Sequence, residues 1–226
     1  MTRKITTLVS CLMVVSAVSA VVSTMSSASM ILPVFTGTQT SASGSSGAGA
    51  ISVSIGAKVI FTSSGSDSLT VESNRHLGPF TVILGGSTQG GEPCRSLGDA
   101  SGTILITGSW HLVLATRSGL DVHEFLFLFT ELHIECPNAA VKLLLVTGDV
   151  AGLITQKSGS TTAFQVSMAT IDGEGRVQEY SEFENDAGTG VKTALSVKQE
   201  GGAAKAGFLE SASNVWTFPS TTSIEK

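Results

Sequence analysis

The chain has 226 residues, 42% of them hydrophobic, and a mean hydropathy of +0.31, so it is long and apolar enough to build a sizeable core. Only 14% of the residues are charged, against roughly 25% in an ordinary globular domain, which argues against a charge-rich helical protein or a coiled coil. A net charge of -5 without any basic cluster argues against a nucleic-acid partner.

The N-terminus has the pattern of a secretory signal peptide. A short basic start precedes Ile5–Val22, a stretch without charge. Small residues permit cleavage after Ala20 or after Ala28, so we predict a signal peptide within residues 1–28. The alternative is an uncleaved membrane anchor, which the hydroxyl side chains within the stretch disfavour. We therefore expect secretion to the extracellular space or the cell envelope of a bacterium, with membrane contact only through the signal peptide before its removal.

The remainder of the chain shows mainly the period of β-strands. Residues 29–50 are rich in Ser, Thr and Gly and predict a flexible lead-in. From Ile51 onward, apolar residues alternate with small or polar ones between Gly-rich turns, among them Ser63–Asp67, and only Ala203–Ser211 offers helix-forming residues. We predict a single all-β domain over residues 51–226. Its fold would be an antiparallel meander of about 10–12 strands that closes as a β-barrel or a two-sheet sandwich.

The strand predicted over residues 122–136 is apolar on both faces. Its even positions form an aliphatic face suited to the core. Its odd positions place three phenylalanines side by side over about 13 Å, bordered by ionisable residues, as the sequence order shows: His123, Phe125, Phe127, Phe129, Glu131, His133 and Glu135. We call Phe125, Phe127 and Phe129 the Phe row. The Phe row with His123 and His133 is the candidate binding face.

Something must cover the Phe row. Three phenylalanines would expose roughly 450 Å², close to the largest apolar patch of a typical monomer. The cover can be a second sheet of the same chain, another copy or a partner protein, or a small apolar ligand in a barrel mouth. A transmembrane barrel is disfavoured because the chain has one Tyr and two Trp, too few for aromatic girdles.

Cys94 and Cys136 are the two cysteines that follow the predicted signal peptide. In an oxidising compartment such a pair predicts a disulfide, which would stabilise the fold by roughly 4 kcal/mol in the chain-entropy interpretation. A metal site that includes His133 is the alternative, but two cysteines and one histidine do not complete a zinc site.

Catalytic and cofactor motifs are missing from the sequence. It contains no Gly-X-Ser-X-Gly elbow, no phosphate-binding Gly-rich loop, no His-Glu-X-X-His and no complete calcium loop. We therefore predict no catalytic residue, no metal site and no cofactor.

Part of the sequence resembles uncharacterised exported bacterial proteins. The resemblance rests on 94–102, on 108–113 and on His133-Ile134-Glu135-Cys136 before 141–148, roughly the middle quarter of the chain. It implies a secreted β-rich fold with paired cysteines and transfers no functional residue.

The functional prediction is a secreted, non-enzymatic binding or structural module that uses an apolar sheet face for self-association or for a partner. One alternative is a carrier of a small apolar ligand in a β-barrel. The other is a cell-surface hydrolase whose site is assembled from residues scattered along the sequence.

Overall fold

A computed structural model of the chain describes residues 33–53, 60–74, 76–117, 120–139, 142–155, 161–168, 182–184, 190–192, 194–211 and 214–225. The predicted signal peptide lies outside these residues. The described residues are strands, turns and irregular segments, without helix. None of them belongs to a helix with the length and apolar character needed to cross a membrane.

Nineteen strands occur within the described part of the chain. In chain order they are β1 (Val34–Phe35), β2 (Ser41–Ser46), β3 (Gly49–Val53), β4 (Ile60–Thr62), β5 (Ser64–Thr70), β6 (Leu77–Gly85), β7 (Thr88–Gln89), β8 (Glu92–Pro93), β9 (Arg95–Ser96), β10 (Ile104–Arg117), β11 (Leu120–Glu135), β12 (Leu143–Thr155), β13 (Thr161–Met168), β14 (Glu182–Glu184), β15 (Gly190–Lys192), β16 (Ser196–Gln199), β17 (Ala204–Ser211), β18 (Asn214–Thr222) and β19 (Ile224–Glu225).

Eight of the strands close into an antiparallel barrel. Its order is β2, β5, β6, β10, β11, β12, β13 and β18, and β18 pairs back with β2. Since this is also the order along the chain, the barrel is an up-and-down meander. The all-β prediction is confirmed, with a barrel rather than a sandwich.

Short strands between the barrel strands extend the sheet beside the barrel. Strand β12 is long enough to serve both parts: Gly152–Thr155 pairs with β13, whereas Leu144–Thr147 pairs with β16, which leads through β17 to β3 and β4. Gly148 lies between the two pairings with a φ of +106°, where a Cβ would collide with the carbonyl oxygen of Ala194. Glycine is required at this corner.

Residues 33–50 belong to the fold, so their interpretation as a flexible lead-in is wrong. Strand β2 lies in the barrel between β18 and β5. Its small residues are needed there: a Cβ on Gly44 would lie 3.0 Å from the Cβ of Asp67 and 3.1 Å from Cδ2 of Trp216. The composition misleads because neighbouring strands supply the apolar bulk that β2 lacks.

Two other local expectations also differ from the structure. The helix-forming stretch at Ala203–Ser211 contains strand β17, which pairs with β3 and β16, and such pairing overrides a weak helix propensity. The Gly-rich segment 63–67 was expected as a turn, but its residues 64–67 begin strand β5.

Aromatic rings fill the part of the barrel around Phe35. This residue is fully buried, and its ring centroid lies 4.7 Å from that of Phe218, 5.7 Å from Phe164 and 5.9 Å from both Trp110 and Phe125. The indole Nε1 of Trp110 donates a hydrogen bond of 2.9 Å to the carbonyl oxygen of Thr70. Side chains therefore pack this part of the interior.

Candidate functional site

The Phe row points into the barrel. Phe125 and Phe127 are 0% and 1% exposed, and Phe129 is partly buried against the same core. The rings of Phe125 and Phe127 stack with centroids 5.7 Å apart, and Phe80 meets Phe127 edge to face at 5.1 Å. Other strands of the same chain cover the Phe row, which was one of the alternatives in the sequence analysis. The row is thus no exposed face for another copy or a partner.

A β-bulge separates the two halves of β11. Phe129 pairs with Gly148 and Leu132 with Val146, so β11 has one more residue than β12 between these pairs. The extra residue reverses the alternation, and Leu132 and Ile134 join the main core. The expectation that even and odd positions keep their faces along 122–136 is therefore wrong beyond the bulge.

The bulge also separates the two histidines of the candidate face. By alternation His123 shares the side of Phe125 and is half-buried, whereas His133 lies beyond the reversal. The Nε2 of His133 lies 2.7 Å from Oε1 of Glu131, and both side chains are substantially exposed. His133 and His123 therefore do not border one common face.

The even residues before the bulge form a smaller cluster outside the barrel. Leu126 packs there with Val113 and Ala115, and all three are at most 5% exposed, with Val122 and Leu128 partly buried against them. The even-numbered residues of β11 therefore face the main core only after the bulge.

A cavity remains inside the barrel next to the Phe row. Its apolar wall includes Phe127, Phe129, Phe80, Trp216 and Ile106, and Leu209 of β17 borders it from the adjoining sheet. We call it the mouth cavity. Its volume is about 30 Å³, which is room for about two water molecules.

Polar side chains converge on one wall of the mouth cavity. Trp216, Gly44 and Asp67 lie opposite one another on β18, β2 and β5, and Asn214 and Ser46 form the next pair. Because Gly44 has no side chain, the side chains of Trp216 and Asp67 both lie against the place that its Cβ would take.

Three buried polar atoms of this wall have no hydrogen-bond partner among the described residues: Oδ1 of Asp67, Oγ of Ser46 and Nε1 of Trp216. Asp67 is 6% exposed and Trp216 is 1% exposed. An unpaired buried polar group costs about 1–3 kcal/mol. Polar atoms left in this state beside a cavity mark a place where a ligand or water would complete the hydrogen bonding.

Asp67 is the one titratable side chain among the described residues that line the cavity. Burial raises the pKa of its carboxyl group from 3.8 to about 6. The sequence interpretation missed Asp67 because it placed the residue in a turn. Alternation was the available signal, since Asp67, Leu69 and Val71 occupy every second position and are all buried.

The predicted disulfide between Cys94 and Cys136 is confirmed. Both cysteines are fully buried, with their Cα atoms 4.2 Å apart. Next to them, β9 pairs with the end of β11, and Nη2 of Arg95 lies 3.2 Å from Oε2 of Glu135. Because both sulfur atoms are bonded to each other, they are not thiolate ligands. Among the described residues no group of three or more His, Cys, Asp or Glu side chains lies close enough to hold a metal ion.

Comparisons with protein-family models, with curated proteins and with solved structures give no match for this chain.

Proposed function

We propose that the chain is an exported, non-enzymatic binding protein that holds a small, mainly apolar molecule in the mouth cavity of its barrel. The observation that carries the proposal is the cavity itself, an apolar space beside the Phe row in which three buried polar atoms have no partner among the described residues. Pockets for small molecules combine an apolar lining with a few polar groups in this way.

The volume limits the size of the ligand. Eight-stranded barrels are just wide enough to be filled by side chains or to hold one small ligand. With about 30 Å³ available, only one end of a molecule fits without movement of the wall. Phe129, Val82 and Leu209 are only partly buried where they pack against the core, so these side chains are the ones that would shift for a longer ligand.

Self-association through an apolar face has less support. Among the described residues the exposed large hydrophobic side chains are Phe61, Ile83, Leu97 and Val215. Ile83 and Val215 lie in one cross-strand row, separated by Ser66 and Ser45, and three strand spacings amount to about 14 Å. These two residues do not form a continuous patch of the size that marks an interface.

Two features support export. The N-terminal sequence has the signal-peptide pattern, and a buried disulfide is typical of proteins that fold in an oxidising compartment.

Calorimetric titration of the mature protein with hexan-1-ol tests the binding proposal. We expect saturable binding of one molecule per chain at pH 8. Leu209→Trp, which adds bulk to the cavity wall, should weaken binding, whereas Leu97→Trp on the surface should not. Thermal unfolding of both variants checks that each remains folded. The proposal would be refuted if no binding were detected with hexan-1-ol at up to about 10 mM, which corresponds to a binding free energy weaker than roughly 3 kcal/mol.

A further inference from the structure

The mouth cavity combines one carboxylate with several aromatic rings. Phe127 and Trp216 are nearly parallel, with centroids 6.3 Å apart, and Phe80 lies 5.1 Å from Phe127 and 6.1 Å from Phe129. All four rings and Asp67 line the same space. No Lys, Arg or His is among the described residues that line it. The acid therefore has no cationic partner within the cavity wall.

This pairing of groups selects among ligand chemistries. A buried carboxylate is stabilised by an opposite charge or by several hydrogen-bond donors. The faces of Trp and Phe rings attract a cation. An anionic ligand would be repelled by Asp67, and a purely apolar ligand would leave Oδ1 of Asp67 unpaired. A protonated amine satisfies both the carboxylate and the rings.

We propose that the mouth cavity binds the protonated amino group of a small apolar amine, with Asp67 as its counter-ion and the rings of Phe127 and Trp216 beside it. The inference rests on the proposed function, because it names the ligand class of the same cavity.

The hydrogen-bonding groups and the volume of the cavity narrow the class of amine further. A primary ammonium group has three donors, two of which match the unpaired Oδ1 of Asp67 and Oγ of Ser46. Nε1 of Trp216 is itself a donor, so it requires an acceptor, which a water molecule next to the amine provides. A cavity of about 30 Å³ holds one ammonium group and one water. A trimethylammonium group is too bulky, so the ligand is a primary amine whose carbon chain leaves past Leu209.

The net charge of the chain favours the same ligand. The charge is -5 for the whole sequence and becomes -7 if residues 1–28 are removed. A negative surface potential raises the local concentration of cations and their association rate. The approach of an amine to the barrel is therefore electrostatically favourable.

The test is a calorimetric comparison of hexylamine, hexan-1-ol and hexyltrimethylammonium with the mature, oxidised protein at pH 8. These ligands share a six-carbon chain and differ in the head group. We expect hexylamine to bind at least about tenfold more tightly than hexan-1-ol, because hydrogen bonds to charged groups are the stronger ones. We expect hexyltrimethylammonium to bind more weakly than hexylamine.

A matched pair of variants locates the effect. Asp67→Asn should abolish the preference, so that this variant binds hexylamine and hexan-1-ol with equal affinity. Asp99→Asn, in a surface loop outside the cavity, should keep the tenfold preference of about 1.4 kcal/mol. At pH 5 the wild-type preference should shrink, since the pKa of Asp67 is raised to about 6 and most of its carboxyl group is protonated there.

The outcomes separate this inference from the proposed function. Equal binding of hexylamine and hexan-1-ol would overturn the amine inference and leave the binding function in place. Binding of neither ligand would overturn both. A preference for hexylamine that survives Asp67→Asn would place the amine elsewhere and overturn the inference as well.

Discussion

Replacement of Asp67 by Asn should stabilise the fold, and by an amount that depends on pH. Asp67 is 6% exposed, and burial raises its pKa from 3.8 to about 6. A carboxyl group whose pKa is higher in the folded state binds its proton more tightly there. Its contribution to stability is fully present below about pH 3.8 and is lost as the pH rises through about 6.

The rise in pKa sets the size of the effect. Converted at about 1.36 kcal/mol per pKa unit, it corresponds to at most about 3 kcal/mol of lost stability above the folded-state pKa. Asparagine has nearly the shape of the protonated acid and no charge. Asp67→Asn should therefore raise the free energy of unfolding by up to about 3 kcal/mol at pH 8, and by little near pH 4.

Urea unfolding of the oxidised protein at a series of pH values from 4 to 8 measures this difference, with Asp99→Asn as the control. The gain should increase between about pH 4 and pH 6 and level off above the folded-state pKa of about 6. A gain that is the same at every pH, or a loss of stability at pH 8, would show that desolvation of the Asp67 charge is not the governing effect.

Three further substitutions or treatments test the fold. Phe127→Ala should lower the free energy of unfolding by about 3–5 kcal/mol because its ring lies in the barrel core. The control Leu97→Ala, at a side chain that is 65% exposed, should change it by about 0.5 kcal/mol or less. Equal losses of the two variants in urea unfolding would refute the placement of Phe127 in the core. Gly148→Ala should lower the free energy of unfolding by more than about 2 kcal/mol, and Gly90→Ala should lower it by about 1 kcal/mol. Both glycines have a positive φ, but only at Gly148 would a Cβ meet a backbone carbonyl. The reverse order of the two losses would count against the corner in β12. Reduction of the disulfide should lower the free energy of unfolding by roughly 4 kcal/mol. Urea unfolding with and without reductant measures this loss, and an unchanged midpoint would contradict the pairing of Cys94 with Cys136.

The sequence was sufficient to predict the class of fold. The alternation of apolar with small or polar residues predicted strands, and in barrel strands β6 and β13 one face does lie in the core, as the burial of Phe80 and Phe164 shows. The cysteine pair was predictable from compartment chemistry. These features depend on local patterns that persist in the folded chain.

Other features depend on partners that are distant in sequence. Strand β2 consists of Ser, Ala and Gly, and only the proximity of Trp216 and Asp67 explains why small residues are needed there. The bulge in β11 appears only in the pairing with β12, so counting alternate positions placed His133 on the wrong face. The mouth cavity has the same origin, since Asp67, Trp216 and the Phe row come from separate strands of the barrel.

The most direct measurement of the central claim is the set of NMR contacts between a bound ligand and ring protons of the protein. With hexan-1-ol bound to isotopically labelled protein, nuclear Overhauser effects should connect its methylene protons with Phe127, Phe129 and the indole of Trp216, all of which line the mouth cavity. Contacts confined to exposed side chains such as Phe61 or Leu97 would contradict a binding site inside the barrel.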